Sequence, residues 1–310
     1  MAMLLIRRLM QSAVTLLASI LLIFVLFSVI PGSFVNSLGG DKRNIDAEFK
    51  ARLQTELHID EPVPQRFVRY MSGLLRGDLG KSFAMRRPVA DILTERLPAS
   101  LRLAVAATAF AMFLGVPLGF LAAARQGSWL DAGTMMLAIS GLSIPAFWFG
   151  LLAMFLFSLE LRWLPTFGYG HGSFVNLVLP AMTLGVAPMA LIARTTRAAV
   201  LQTMSADYIR TARSKGASEA RVVTGHMARN AFVLILTTIG LQFGSMLGGS
   251  VIVENLFSWP GIGALLTQSV SQRDIPLVQG CVLLIIAFFL TINTLVDMAY
   301  VIIDPRIRFR

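Results

Sequence analysis

Six long apolar runs, separated by polar stretches, dominate the chain. They cover residues 9–30, 103–124, 134–159, 175–193, 231–253 and 278–303. An α-helix needs about 20 apolar residues to cross the hydrocarbon core of a bilayer, and each run has close to that length. Pro180, Gly185 and Pro188 interrupt the fourth run, and broken helices persist in membranes only where neighbours satisfy the freed backbone groups. The pattern predicts an all-α polytopic membrane protein with six transmembrane helices.

The first run raises the question of a cleaved signal peptide. Arg7 and Arg8 precede it, as basic residues do in such peptides. Its apolar stretch, however, is longer than the apolar region of a typical signal peptide. We therefore interpret residues 1–30 as a retained transmembrane helix.

The composition agrees with this assignment. Hydrophobic residues make up 55% of the chain and charged residues 14%, far from the averages of soluble proteins. Cys281 is the single cysteine, which excludes an internal disulfide. The three histidines lie far apart in the sequence and show no metal-ligand spacing. No metal or cofactor site is predicted in this chain.

The distribution of lysine and arginine predicts the orientation. With the N-terminus inside the cell, the segments on the inner side carry thirteen basic residues, whereas the two short outer loops carry only Arg162 and Arg273. Short cytoplasmic loops are enriched in such residues, so both termini are predicted to be cytoplasmic. The formal net charge of +10 is then explained by membrane orientation, and no nucleic-acid partner is expected.

A long outer segment, residues 31–100, follows the first helix. Apolar positions Phe49, Leu53 and Leu57 predict one amphipathic helix, and a second is expected from Phe67 to a stop at Gly77. Pro88 is expected to open a third, separate helix. These helices are predicted to form a small lid on the outer membrane face; interfacial helices that only anchor the chain are the alternative.

The motif Gly80-Lys81-Ser82 resembles the end of a phosphate-binding loop. The first glycine of that loop would be at position 75, which is Leu75, so we reject an ATP site in this chain.

The longest polar interruption of the second half lies within residues 194–230, which we call the coupling loop. Ser205 is a suitable helix N-cap, and Asp207 suits the first turn. Gly216 stands where a left-handed residue would end that helix, and a second short helix is expected from about 218 to 226. This helical hairpin is predicted to dock a soluble partner inside the cell; a solvated basic connector is the alternative.

The fifth run carries a glycine at every fourth position: Gly240, Gly244 and Gly248. Such a face permits close helix packing, either against a helix of the same chain or against a second membrane subunit around a central pathway. Gln242, Ser245 and Glu254 lie on or beyond the same helix and are candidates for the translocation path, because polar groups in membranes are costly. Simple hydration near the outer surface is the alternative for Glu254.

Trp259, Pro260 and Gly261 form a turn between apolar flanks after the fifth run. They are candidates for an outer gate built on a re-entrant hairpin, while an aromatic-belt role is the alternative for Trp259. Asp297, in the last run, is a candidate to pair with a basic residue such as Arg194 or Arg197, and the sequence does not say which.

These motifs together resemble the first permease subunit of the dipeptide/oligopeptide/nickel group of ABC importers, and the coupling loop resembles their so-called EAA loop. The matching stretches occur in a fixed order over nearly the full length: PG (31–32), GDLGKS (77–82), RLPAS (96–100), LPAMTLG (179–185), DYIRTARSKG (207–216), RNA (229–231), WPGIG (259–263) and RDIP (273–276).

The resemblance implies a MetI-like core spanning residues 101–304, with a cytoplasmic tail at 305–310. Its loop motif falls on Gly216, with Ala212 as the second alanine, Thr211 in place of the first and Arg210 in place of the acid. The residues implied to contact an ATPase are Asp207, Tyr208, Arg210, Thr211, Ala212, Arg213 and Gly216. The arginine at 210 removes the salt bridge that the consensus acid would make.

The resemblance also implies the partners and the location. These are a second homologous permease, two cytoplasmic ATPases that bind ATP and magnesium, a periplasmic solute-binding protein, and the lipid of the bacterial inner membrane. Short peptides, glutathione and nickel chelates all remain open as solutes. A self-sufficient secondary transporter or channel is the alternative function, although the sequence shows no convincing internal repeat. A membrane enzyme would need a catalytic pair in the spans, and none is evident.

Overall fold

The computed structural model describes residues 2–29, 61–204, 209, 214, 216 and 228–303. Within these residues the regular structure is helical, apart from one isolated bridge between Lys81 and Pro88. The helices are α1 (Ala2–Val29), α2 (Val63–Leu75), α3 (Val89–Ala124), α4 (Trp129–Ser143), α5 (Ala146–Met154), α6 (Phe174–Met204), α7 (Ala228–Leu256), α8 (Ile262–Ser271) and α9 (Ile275–Ile303). A π-helical turn, Phe155–Glu160, extends α5, and a 3₁₀ turn, Gly170–Gly172, precedes α6.

Five of these helices, α1, α3, α6, α7 and α9, are long and apolar enough to cross a membrane. The third predicted span, residues 134–159, is instead a pair, α4 and α5 with its π-helical extension, bent by 105°. The break falls at Ile144, whose ψ of 125° is extended. A following proline excludes the preceding residue from the helical region, and Pro145 therefore explains why this predicted run is not one straight helix.

Two helices extend beyond the stretches from which the sequence predicted them. Pro88 caps a helix, but that helix continues into the second predicted span as the 36-residue α3 rather than ending before it. Helix α6 runs through Pro180 and Pro188 and on to Met204, past the predicted end of the fourth span at 193. Pro180 and Pro188 are both buried inside the bundle. Prolines are tolerated within membrane helices where neighbouring helices can satisfy the freed backbone groups.

Helices α3 and α6 cross with their backbones in close contact. A methyl group on Gly115 would lie 2.7 Å from the Met189 carbonyl oxygen, and one on Gly119 would lie 2.4 Å from that of Ala193. Glycine permits this approach because it has no side chain. Consequently α3 and α6 form a tightly packed pair through the centre of the bundle.

Helix α1 packs against α9. At the inner end, named here from the predicted orientation, Arg8 lies 3.3 Å from Asp297, and the Ser12 and Thr294 hydroxyls are 3.1 Å apart. Asp297 thus pairs with a basic residue, and this partner is Arg8 of the first helix rather than Arg194 or Arg197, the two examples that the sequence offered.

Helix α2 confirms the second predicted outer helix. It lies across the outer end of α1, where the Phe67 ring contacts Phe24 edge to face at 5.1 Å. Tyr70 stacks on the same Phe24 ring at 5.7 Å, and burial raises the pKa of Tyr70 to about 12. The helix ends as expected, since Gly77 adopts a φ of 77°. The predicted helix around Phe49 lies outside the described residues.

Candidate functional site: the coupling loop and the outer turn

The coupling loop enters and leaves the bundle at the inner ends of α6 and α7. Of its predicted contact residues the structure describes Gly216, whose φ of 78° is the left-handed conformation expected for a helix-ending glycine. A methyl group added there would meet nothing within 4 Å, so this position faces open space. Asp207, Tyr208, Arg210, Thr211, Ala212 and Arg213 lie outside the described residues.

Ile209, in the middle of the loop motif, is fully buried. It belongs to a cluster that we call the inner cluster, composed of Ala123, Ala199, Val200, Ile209, Ala231 and Ile235. These residues come from α3, α6 and α7 as well as from the loop. Burying an isoleucine side chain contributes about 1.5–3 kcal/mol, so Ile209 fixes the loop firmly to three membrane helices.

At the opposite end of the bundle, the Glu254 carboxylate is completely buried. The hydroxyls of Ser100 and Ser250 donate to its Oε1 at 2.7 and 2.9 Å, and the Ala264 N–H donates to Oε2 at 3.0 Å. Ala264 belongs to the first turn of α8, where the helix dipole favours an anion. The alternative of simple hydration for Glu254 is therefore wrong: the carboxylate joins α3, α7 and α8.

Trp259 is also buried, which excludes an aromatic-belt role. Its indole N–H donates to the Ala99 carbonyl oxygen at 2.8 Å. The backbone N–H of Trp259 donates to the backbone carbonyl oxygen of Glu254, also at 2.8 Å. The Tyr169 ring meets the indole edge to face at 4.8 Å, and the Tyr169 hydroxyl accepts a hydrogen bond from Arg102. The segment 257–263, which we call the outer turn, is thereby fixed to α3.

Two glycines let the outer turn close over Glu254. A methyl group on Gly261 would lie 2.4 Å from the Glu254 carboxylate atoms, and one on Gly263 would lie 2.6 Å from the Cα of Val251. Pro260 is half-buried between them and Trp259. The short helix α8 follows the turn and leads to α9. The re-entrant hairpin and its role as an outer gate stay predictions.

A second buried carboxylate, that of Asp274, lies where α8 meets α9. Its Oδ2 accepts hydrogen bonds from the Ser82 hydroxyl at 2.5 Å and from the Ala84 N–H at 3.1 Å. The serine of the rejected phosphate-loop motif therefore binds a carboxylate of its own chain. Nearby, the Glu95 carboxylate accepts a hydrogen bond from Arg87 and raises the pKa of that guanidinium.

The glycine face of α7 packs mainly within the chain. Methyl groups on Gly240 and Gly244 would lie 2.2 Å and 3.3 Å from side-chain atoms of α9, those of Val296 and of Ile292 and Asn293. Gly240 also lines an apolar cleft of about 290 Å³ between α7 and α9. Gly248 is exposed, as is Ser245, whose hydroxyl donates to the Gln242 carbonyl oxygen. Among the described residues of α7, the exposed side that includes Ser245 and Gly248 is therefore open to contact with another subunit in the membrane.

Several contributing residues were not predicted as site residues. Ser100, Ser82 and Asp274 stand in the motifs RLPAS, GDLGKS and RDIP, but nothing in the sequence indicated that Ser82 and Asp274 meet. Ile209 was detectable as an isolated apolar residue in a polar loop. Gly115 and Gly119 form the same small-residue spacing in the second run that was recognised in the fifth. In the part of the chain that the structure describes, no group of three acidic, histidine or cysteine side chains is placed to hold a metal ion.

Comparison with known proteins decides the family. Residues 115–309 match the model of the binding-protein-dependent transport system inner membrane component, and residues 1–104 match the model of the N-terminal membrane component of the same systems. The chain belongs to this family. It is a membrane permease component of a bacterial ABC importer, situated in the inner membrane and working with other transporter components; the family itself is not one of hydrolases.

Similar full-length proteins support this assignment. The glutathione transport system permease protein GsiC of Pectobacterium atrosepticum is 42% identical over 305 residues, covering 98% of both chains, and that of Escherichia coli K12 is 41% identical over the same share. A Brucella abortus chain named as a peptide transport system permease protein is 40% identical over the whole of both chains.

A solved structure agrees with the fold. The inward-facing MetNI methionine ABC transporter matches with a TM-score of 0.55 and 16% identity, covering 69% of this permease and 96% of that chain. The predicted MetI-like core of an all-α membrane protein is thus confirmed.

Proposed function

We propose that this permease forms half of the translocation pathway of an ATP-driven importer of short peptides or closely related solutes. Relatives at 40–42% identity are named for glutathione and for peptides, and glutathione is itself a modified tripeptide. A periplasmic binding protein delivers the solute, and two cytoplasmic ATPases bind ATP and magnesium. A second, homologous permease completes the pathway, and the exposed Ser245 and Gly248 side of α7 suits that contact.

The observation that carries this proposal is the burial of Ile209. With both termini and the coupling loop inside the cell, the ATPases act on a loop that is anchored in the inner cluster. Any displacement of the loop then moves the inner ends of α3, α6 and α7. Interfaces and packed cores switch between discrete arrangements, and such a switch between inward-open and outward-open states is the expected response.

Helix α3 connects the inner cluster with the outer turn and is suited to transmit a displacement between them. It contributes Ala123 to the inner cluster and Ser100 to the Glu254 contacts, and a helix rises about 1.5 Å per residue, so α3 spans roughly 35 Å between them. Its glycine contacts with α6 make the two helices move together. Trp259, Pro260 and Gly261 on the outer turn then act as the gate.

Reconstitution tests the proposal. The permease, its second permease, the two ATPases and the binding protein are placed in proteoliposomes, and uptake of glutathione, a dipeptide and a pentapeptide is measured. We expect uptake that requires both ATP and the binding protein. Uptake by this chain alone, driven by an ion gradient, would establish the secondary-transporter alternative and overturn the proposal.

A further inference from the structure

An ion pair joins α4 to α6 at the inner end of the bundle. Arg197 Nε donates to Asp131 Oδ1 at 2.5 Å and Nη2 donates to Oδ2 at 2.7 Å, a bidentate arrangement. The Gly127 N–H adds a third hydrogen bond to the carboxylate at 3.0 Å, and Asp131 is only 5% exposed. Bidentate guanidinium–carboxylate pairs fix the mutual orientation of the two groups as well as their separation.

Away from this pair, α4 packs on α6 through small residues, and a methyl group on Gly141 would lie 3.3 Å from the Ala190 side chain. The buried residues of α4 are Asp131, Ala138 and Gly141, of which the last two offer little area. Met136 and Leu137 are each 70% exposed. Among the described residues, the hydrogen bonds from α4 side chains to another helix are those of Asp131. The position of the inner end of α4 therefore depends on this pair.

Arg197 also lies within residues 194–230, in the part of the coupling loop that the structure shows as the inner end of α6. It lies two residues before Ala199, a member of the inner cluster that holds Ile209, and α6 ends shortly afterwards at Met204. The inner end of α6 therefore contacts the loop anchor through some of its residues and α4 through Arg197. A displacement of the loop is therefore transmitted to α6 and, through Arg197, to α4.

The far end of α4 is a break rather than a continuous helix. Ile144 and Pro145 separate it from α5, and the two segments meet at 105°. Helix α5 is held separately, because a methyl group on Gly150 would lie 2.7 Å from Leu256 and 2.9 Å from Thr183. The break allows α4 to move while α5 stays in contact with α6 and α7.

We propose that Asp131 and Arg197 are positioning residues that make α4 follow the coupling loop during transport. The inference rests on the proposed function, since it assumes that ATPases displace the loop. It adds a specific link: without the ion pair the loop still moves α6, but α4 is left behind. A pair that served only to stabilise the fold would instead affect both helices alike.

Distances between spin labels test this link in the reconstituted complex. Fully buried Cys281 is first replaced by alanine, and this background is checked for ATP-dependent uptake. Label pairs join Leu75→Cys on α2, as an outer reference, to Met136→Cys on α4 or to Arg194→Cys on α6; all three positions are exposed. Each distance is measured without nucleotide and with the ATPases trapped in their nucleotide-bound state.

We expect both distances to change on trapping when the pair is intact. In Asp131→Asn, the change at Met136 should fall below half, while the change at Arg194 persists. The double variant, Asp131→Arg together with Arg197→Asp, should restore the distance change at Met136. If Asp131→Asn does not assemble, Arg197→Lys removes the bidentate geometry and is measured in the same way.

An undiminished change at Met136 in an assembled variant would overturn the inference. Equal loss at Met136 and Arg194 would overturn it too, because the pair would then be a general stabiliser. Failure of the unsubstituted complex to take up solute with ATP would refute the proposed function itself, which separates the two failures.

Discussion

The Ser100 hydroxyl and the Glu254 carboxylate, 154 residues apart, lie 2.7 Å from each other in the buried outer region of the bundle. Ser100 simultaneously accepts the Ile262 N–H at 2.8 Å. One hydroxyl on α3 therefore bonds both α7 and the first residue of α8. This contact connects the helix that reaches the coupling-loop anchor with the turn proposed as the outer gate.

Ser100→Ala should destabilise the outer turn. It leaves the buried Ile262 N–H without an acceptor and removes one donor from Glu254, and an unsatisfied buried group costs about 1–3 kcal/mol. The measurement is the thermal unfolding of the purified complex. Ser271→Ala is the matched control, because the exposed Ser271 hydroxyl bonds only within its own helix, to the Thr267 carbonyl. Equal midpoints for the two variants would contradict the assigned role of Ser100.

Gly261→Ala should open the outer turn. The added methyl group would lie 2.4 Å from the Glu254 carboxylate, so the turn must move away. We expect ATP hydrolysis that no longer depends on the binding protein, together with reduced uptake. Gly249→Ala, where the methyl group meets nothing within 4 Å, should behave as the unsubstituted permease. Normal stimulation of hydrolysis by the binding protein in Gly261→Ala would show that the turn is not part of the gate.

Gly119→Ala should separate α3 from α6. Overpacking of this kind typically costs about 1–3 kcal/mol, and here the obstacle is the Ala193 carbonyl, which cannot rotate away as a side chain can. A lower yield of folded complex and a lower unfolding midpoint are expected. In Gly133→Ala, on α4, the new methyl group faces open space, and alanine improves helix propensity by up to about 1 kcal/mol. That control should be neutral or slightly stabilising.

Ile209→Ala should uncouple hydrolysis from transport. Removing the buried side chain leaves a cavity in the inner cluster, a change that costs about 2–5 kcal/mol in protein cores. Loop displacement would then be absorbed locally, so uptake should fall more than ATP hydrolysis. Ile209→Val, which costs about 0.5–1.5 kcal/mol, should lie between this variant and the unsubstituted permease. Parallel loss of uptake and hydrolysis in both variants would indicate impaired ATPase docking instead of impaired transmission.

The sequence was sufficient to predict those features that depend on neighbouring residues. Apolar length identified the spans, since the requirement for about 20 apolar residues is local. The left-handed Gly216 followed from helix-ending chemistry. The helix start at Pro88 also followed from local chemistry, but the continuation of that helix over 36 residues into the second span did not.

The environment of each polar residue could not be predicted, because it depends on distant partners. Glu254 looked close to the surface, yet Ser100 and Ala264 enclose it. The sequence left the partner of Asp297 open; the structure pairs Asp297 with Arg8 and pairs Arg197 with Asp131. In each case the deciding contact joins two different helices, and a single sequence does not indicate how those helices are placed relative to each other.

The central claim is that the coupling loop transmits the ATPase cycle from inside the cell, and a photo-reactive amino acid at position 216 tests it most directly. Gly216 already faces open space, and asparagine, which tolerates a positive φ, serves there as the control substitution. Illumination of the assembled complex in membranes should yield an adduct with an ATPase subunit, at a level that changes when nucleotide is trapped. An adduct formed only with the periplasmic binding protein, or none with the ATPases in a complex that transports, would contradict the account.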